Sequence, residues 1–109
     1  MSFEVLTIPP FDKQLKRLAK KYPSLKNEFS LFLDSVEENP EMGTSIGTNC
    51  RKIRLAIKSK GKGKSGGARI ITNILISEKI VYLLSIYDKS EKANLSDTEL
   101  KALLRFTFD

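Results

Sequence analysis

At 109 residues the chain has room for one small globular domain, expected to span 1–109, and not for two. Hydrophobic residues make up 40% of it, which supplies a modest core and sets aside disorder, while a single cysteine, Cys50, sets aside an internal disulfide. The chain has no histidine, which removes Ser-His-Asp and Cys-His triads, imidazole acid–base pairs and most zinc sites. Catalysis, if present, falls to Lys, Arg, Tyr or carboxylates, with no metal or cofactor expected. Cys50, with no imidazole to activate it, reads as filler rather than nucleophile.

The net charge of +6 is unevenly placed. Between Met42 and Ser77 lie Arg51, Lys52, Arg54, Lys58, Lys60, Lys62, Lys64 and Arg69, with no Asp or Glu. These eight cations, set against a total of +6, leave −2 for the rest of the chain. A local footprint of this kind points to a polyanion, and nucleic acid fits better than membrane because no basic amphipathic helix accompanies the window. No apolar run approaches the roughly 18 residues of a membrane span, and MSFEVLTIPPF lacks a signal-peptide pattern. A cytoplasmic location is expected.

In chain order, SFEVLTI alternates apolar and polar residues as a first strand, stopped by Pro9-Pro10. From Phe11, the residues Phe11, Leu15, Leu18, Ala19 and Tyr22 fall on one helical face, and Lys13, Lys16, Arg17, Lys20 and Lys21 take the remainder. That helix ends before Pro23. Ser24 is placed to cap a second helix with Leu25, Phe29, Phe32, Leu33 and Val36 on its core face, stopped at Asn39-Pro40. Two helices joined through Tyr-Pro form a hairpin whose apolar stripes need a partner.

RKIRLAIK supplies one. Ile53, Leu55 and Ile57 alternate with Lys52, Arg54, Ala56 and Lys58, so one strand face is apolar and the other positive. ARIITNILI and KIVYLLSIY follow as two more strands, an antiparallel hairpin turning at Ser77-Glu78-Lys79. The last is apolar on both faces and belongs inside the sheet. Ser96-Asp97-Thr98-Glu99 is a capping box, stapled by Leu95 and Leu100, that opens a final helix. The expected class is α+β, ordered βααβββα, with the helices on one face of a mostly antiparallel sheet.

The ribbon KSKGKGKSGGAR contains Gly63-Lys64-Ser65, but a phosphate-binding P-loop requires a glycine where Lys58 stands and a helix where a strand follows. A hairpin connection with glycines for positive φ fits better. Loop solubility alone does not explain why the charge continues onto the strands as Lys52, Arg54 and Arg69. A basic loop beside a basic sheet face suits a phosphodiester chain.

Over RKIRLAIKSKGKGKSGGARIIT and IVYLLSIYDKSEKANLSDTELKALL, the sequence resembles the RelE/ParE superfamily of type II toxin–antitoxin toxins, its HigB-like branch in particular. The resemblance covers nearly the whole chain and implies the RelE-like fold, with an N-terminal helical hairpin and a short C-terminal helix. It implies a metal-independent mRNA endonuclease, cutting in the ribosomal A site by 2′-OH attack and held in check by a cognate antitoxin, often with a helix-turn-helix. It also implies that Arg69 corresponds to the arginine after the ribbon, a candidate for the scissile phosphate, and that Lys52 and Arg54 match the family's basic strand pair. Arg54 and Lys52 also read as the solvated side of an amphipathic strand. Tyr87 either stacks on a base or seals the sheet end. Arg51, Lys58, Lys60, Lys62, Lys64 and Lys89 are candidates for holding ribosomal or messenger backbone. The chain departs from well-studied RelE relatives after the last strand, where Ser90 and Ser96 stand in place of an arginine and a tyrosine. The general base is left unassigned; Asp88 and Glu91 lie near but read as loop carboxylates. A ParE-like gyrase poison or a non-catalytic RNA-binding module are the alternatives.

Overall fold

The computed structural model describes residues 3–60 and 66–107. Strand β1 (Glu4–Thr7) leads into helix α1 (Pro9–Lys21), with both prolines in the first turn, where amide hydrogens have no intrahelical acceptor to lose. The prolines that stop the strand therefore also start the helix. Helix α2 (Leu25–Glu38) follows, but Ser24 does not cap it as expected. Its backbone is already helical (φ −73°, ψ −14°), and its hydroxyl is engaged by Ser59 and Glu28 instead.

Strand β2 (Thr44–Gly47), absent from the expected order, is exposed at all four positions and so carries no alternating pattern. It pairs with the beginning of β3 (Cys50–Leu55) through a tight turn in which Thr48 and Asn49 both have positive φ. A 3-10 turn at Lys58–Lys60 follows, then β4 (Ala68–Leu75), β5 (Ile80–Asp88) and α3 (Asp97–Leu104). The five strands form one sheet in the order β1-β5-β4-β3-β2, antiparallel except where β1 runs parallel to β5. The α+β class and the mostly antiparallel sheet hold, with one strand more than the sequence pattern gives. The doubly apolar β5 lies inside the sheet, as expected.

One face of this sheet carries the cross-strand row Ile53–Ile70–Ile86, all buried. The helical hairpin covers it with Phe11, Leu18, Leu25, Phe32 and Val36. Each such side chain contributes about 1.5–3 kcal/mol relative to exposure. The C-terminal segment takes the other side. Lys52, whose side chain points away from the Ile53 row, donates to Asn94 Oδ1 at 2.9 Å just ahead of α3. The three helices therefore do not share one face, because β5 is apolar on both faces and each needs cover. The capping box forms as expected, Glu99 N–H donating to Ser96 Oγ at 3.1 Å and Ser96 N–H to Glu99 Oε1 at 2.9 Å.

Candidate functional site

On the face away from the hairpin, Arg54 pairs with Arg69 across β3 and β4, and Arg69 with Tyr87 across β4 and β5. Directly opposite residues point to the same side, with Cα atoms about 4.5–5.5 Å apart. Lys52 and Ile71 occupy the next row. Four of the candidates read from the sequence, Lys52, Arg54, Arg69 and Tyr87, thus meet on one surface contributed by three strands. Two arginines directly opposite one another repel, an arrangement that suits a shared anion.

The row is graded in depth. Arg54 is exposed and Lys52 half-buried, whereas Arg69 is only 3% exposed and gives one guanidinium N–H to Ala68 O at 3.1 Å. Tyr87 is 5% exposed, and its hydroxyl has no hydrogen-bond partner among the described residues. Burial raises the Tyr87 pKa, Arg69 opposes the rise and Glu99 adds to it, so the phenol keeps its proton at neutral pH.

Tyr87 reaches this face because of a β-bulge. From the turn, β4 and β5 pair as Leu75 with Ile80 through Thr72 with Leu83, and the register then slips so that Ile71 meets Ser85. Leu84 is the extra residue. In an unbroken ladder, with Leu84 opposite Ile71, Arg69 would face Ile86 and Tyr87 would point into the helical side. Just past the slip, Gln14 of α1 accepts from Ile86 N–H at 2.9 Å and Ser85 Oγ at 3.1 Å, beyond the end of β1. Sequence reasoning missed Gln14; a lone polar residue between Phe11, Leu15 and Leu18 was its only signal.

Gly67 fixes the approach of Arg69. A side chain there would put Cβ 2.1 Å from Leu55 O, so only glycine lets the ribbon enter β4 beside β3. Lys89 N–H closes the far edge on Gly67 O at 3.0 Å.

The remaining basic candidates separate. Arg51 lies on the opposite face from Lys52, its guanidinium holding Met42 O at 3.2 Å and Gly43 O at 2.8 Å. Lys58 is exposed, with its N–H on Glu28 Oε2 at 2.8 Å, and Lys89 is half-buried. Lys60 is not a free surface cation. Its side chain is 6% exposed, and the ammonium pairs with the fully buried Asp88 and lies 5.5 Å from the Tyr22 ring centre. Lys62 and Lys64 lie outside the described residues. Asp88 also accepts from Tyr22 Oη at 2.6 Å, Ser90 N–H at 2.9 Å and Ser90 Oγ at 2.7 Å. Read from the sequence as a loop carboxylate, it is the buried end of β5. Burial pushes its pKa up, but Lys60, Tyr22 and Ser90 together hold it well below the usual carboxylate range.

The other nearby carboxylates are poor bases as well. Lys92 and the Ser96 amide bring the Glu99 pKa down to about 2, and Arg17 and Lys21 lower that of Glu91. Ser96 is occupied by its cap, as the sequence indicated. Among the described residues no three His, Cys, Asp or Glu side chains gather as a metal-binding group, and no helix is long and apolar enough to cross a membrane.

The family described as RelE toxin of the RelE / RelB toxin-antitoxin system matches residues 11–107. The chain belongs to the RelE toxin family. Solved structures agree on the fold. The isolated E. coli RelE toxin is 18% identical, with 95% of this chain and 98% of that chain covered at a TM-score of 0.61. The intact E. coli RelBE toxin–antitoxin complex matches at 17% identity, 80% and 96% coverage and a TM-score of 0.61. A double mutant of E. coli RelE in the free state matches at 19% identity, 85% and 90% coverage and a TM-score of 0.59. The Arg54–Arg69–Tyr87 row thus sits on a RelE fold, on the sheet face that the helical hairpin leaves uncovered.

Proposed function

We propose that this RelE-family protein is a ribosome-dependent mRNA endonuclease of a toxin–antitoxin pair, cutting messenger in the A site without a metal. The observation that carries the reading is the Arg54–Arg69–Tyr87 row with Lys52 beside it. Three fixed cations and one protonated phenol meet where no strong base is at hand. In-line attack by a ribose 2′-OH, which gives up its proton to water, forms a new bond to the adjacent phosphorus and breaks the bond to the 5′ oxygen, which takes up a proton and leaves as a hydroxyl. A 2′,3′-cyclic phosphate remains. Negative charge grows on the non-bridging oxygens, so prepositioned cations stabilise the transition state more than the ground state. Arg69 holds the phosphate from below and Arg54 from the solvent side. Lys52, steered by Asn94, contacts backbone or assists proton transfer. Tyr87 donates its hydrogen bond to the phosphate or to the departing 5′ oxygen, a role its raised pKa suits better than that of base. Lys58 and Lys89 lie at the margins for messenger or ribosomal backbone; Lys60 serves the fold. A cognate antitoxin, by analogy with the partner named in the RelBE complex, would neutralise the protein.

Primer extension on programmed ribosomes tests this. Wild type should stop extension within the A-site codon, and Arg54→Ala, at an exposed position, should cut at least tenfold more slowly while remaining folded. Arg69→Ala should abolish cutting. Intact messenger with gyrase-dependent DNA breaks would select a ParE-like poison; RNA binding with no cleavage would select a binding module.

A further inference from the structure

Helix α1 carries a second concentration of charge that the chain's overall sum hides. Lys13, Lys16, Arg17, Lys20 and Lys21 are all exposed, within an arc of roughly 140° at 100° per residue and about 12 Å along the axis. Together they form one continuous basic stripe along the exposed side of the helix. In the sequence total they are offset by Glu28, Asp34, Glu37, Glu38 and Glu41, which lie elsewhere.

The stripe is costly to the helix. Lys13 with Arg17, Lys16 with Lys20, and Arg17 with Lys21 are like charges four residues apart, each pair destabilising. Asp12 is the only acid in α1, and relief comes from outside it. Glu91, in the turn after β5, accepts from Arg17 at 3.0 Å and Lys21 at 3.3 Å. One carboxylate thus orients two of the cations and leaves Lys13, Lys16 and Lys20 facing solvent. Solubility alone does not call for self-repulsion of this kind.

We infer that this stripe is a docking surface for the phosphate backbone of base-paired RNA, separate from the Arg54–Arg69–Tyr87 face and on the other side of the sheet. The inference rests on the RNA-directed function proposed above and extends it. Three observations choose the occupant. All the large apolar residues of α1 face the core, and the exposed large hydrophobics (Leu31, Ile46, Ile76 and Phe106) lie elsewhere, so nothing here inserts into a bilayer. Exposed aromatics on which unpaired bases would stack are missing from the stripe, which argues against single strands. It also lacks the aromatic or apolar anchor of a protein interface, and lysine is depleted at such interfaces. What remains is rigid, regularly spaced positive charge, which fits phosphates and carries no sequence preference. With cations on both sides of the sheet, the protein holds a structured RNA by α1 while the opposite face meets the messenger.

The test uses the triple variant Lys13→Gln/Lys16→Gln/Lys20→Gln, which keeps the Arg17–Glu91–Lys21 contacts. Binding to a fluorescein-labelled RNA hairpin is titrated across salt concentrations, with an unstructured RNA and phosphatidylglycerol vesicles in parallel. The slope of log K against log salt for the hairpin should fall in magnitude by about 2.7, near 0.9 for each of the three lost phosphate contacts on the duplex scale. Unstructured RNA should bind as before. On programmed ribosomes, the concentration giving half-maximal cleavage should rise about tenfold, with the single-turnover rate at saturation unchanged. The variant should melt no lower than wild type, since it relieves repulsion. An unchanged hairpin slope overturns the inference, as does a loss confined to vesicles. Should wild type fail to cleave while hairpin binding still depends on the stripe, the surface stands and the cleavage reading falls.

Discussion

Replacing Lys60 with Met tests whether the base of the ribbon is held by charge. The Lys60 side chain is 6% exposed and that of Asp88 fully buried, so the substitution strands a carboxylate away from water while keeping most of the side-chain volume. Removing one member of a buried pair costs about 3–5 kcal/mol. Tyr22 Oη and the two Ser90 donors stay on Asp88, which places the expected loss near the lower figure, about 3 kcal/mol. For a domain of this size that is a fall of roughly 12 °C or more in Tm by differential scanning calorimetry. The pH dependence supplies the sign. In wild type the folded Asp88 pKa is depressed, so its stabilisation is fully present above the unfolded value near ~3.9 and is lost only as pH falls through the folded pKa. In Lys60→Met the Tyr22 and Ser90 donors still favour the carboxylate, so its folded pKa is less depressed than in wild type. The deficit against wild type should therefore hold at neutral pH and shrink as acidification protonates the variant's carboxylate before that of wild type. A Tm within about 3 °C of wild type at neutral pH, or a deficit that grows on acidification, would refute the reasoning.

Other substitutions separate stability from chemistry. Tyr87→Phe removes a buried hydroxyl that lacks a partner among the described residues, so Tm should hold or rise, by up to about 1 kcal/mol in stability, while ribosome-dependent cleavage drops; equal cleavage would remove Tyr87 from the site. Gly67→Ala drives a methyl to within 2.1 Å of Leu55 O, and a loss of about 1–3 kcal/mol in urea melts is expected, with impaired cleavage. Cys50 is buried and its thiol pKa raised by that burial, so it should react with a disulfide reagent only as the protein unfolds.

The charges of the candidate site were legible in the sequence, and their depth was not. The alternation of RKIRLAIK put Lys52 and Arg54 on one face without reference to any other strand. That Arg69 lies opposite Arg54 depends on the β3–β4 register, hidden inside a ribbon whose length sets no tight turn. That Arg69 is only 3% exposed is a property of the folded sheet, which the alternation of its own strand does not carry. Lys60 shows the same limit from the other side. Among ribbon lysines of identical composition, only the fold singles it out, by bringing a buried carboxylate to it. Strand β2 left no trace because all four of its residues are exposed, which leaves no alternation to read.

The bulge at Leu84 carries this dependence furthest, and Gln14 makes it testable. An alternating strand read from Ile80 places Val81, Leu83, Ser85 and Tyr87 on the helical side; one extra residue returns Tyr87 to the arginines. Gln14 accepts two hydrogen bonds immediately after that slip, so it ties the register of the site to a helix on the opposite face. Gln14→Leu keeps the volume but leaves the Ile86 amide without that acceptor, at a cost of about 1–3 kcal/mol. If the bond only stabilises, the variant should melt earlier and cleave at the wild-type rate once temperature is lowered to restore folding. If it holds the bulge, cleavage should stay depressed in the folded variant, and Gln14→Glu, which retains an acceptor at that position, should recover it. Full activity in folded Gln14→Leu would show that Leu84 keeps its place through core packing alone.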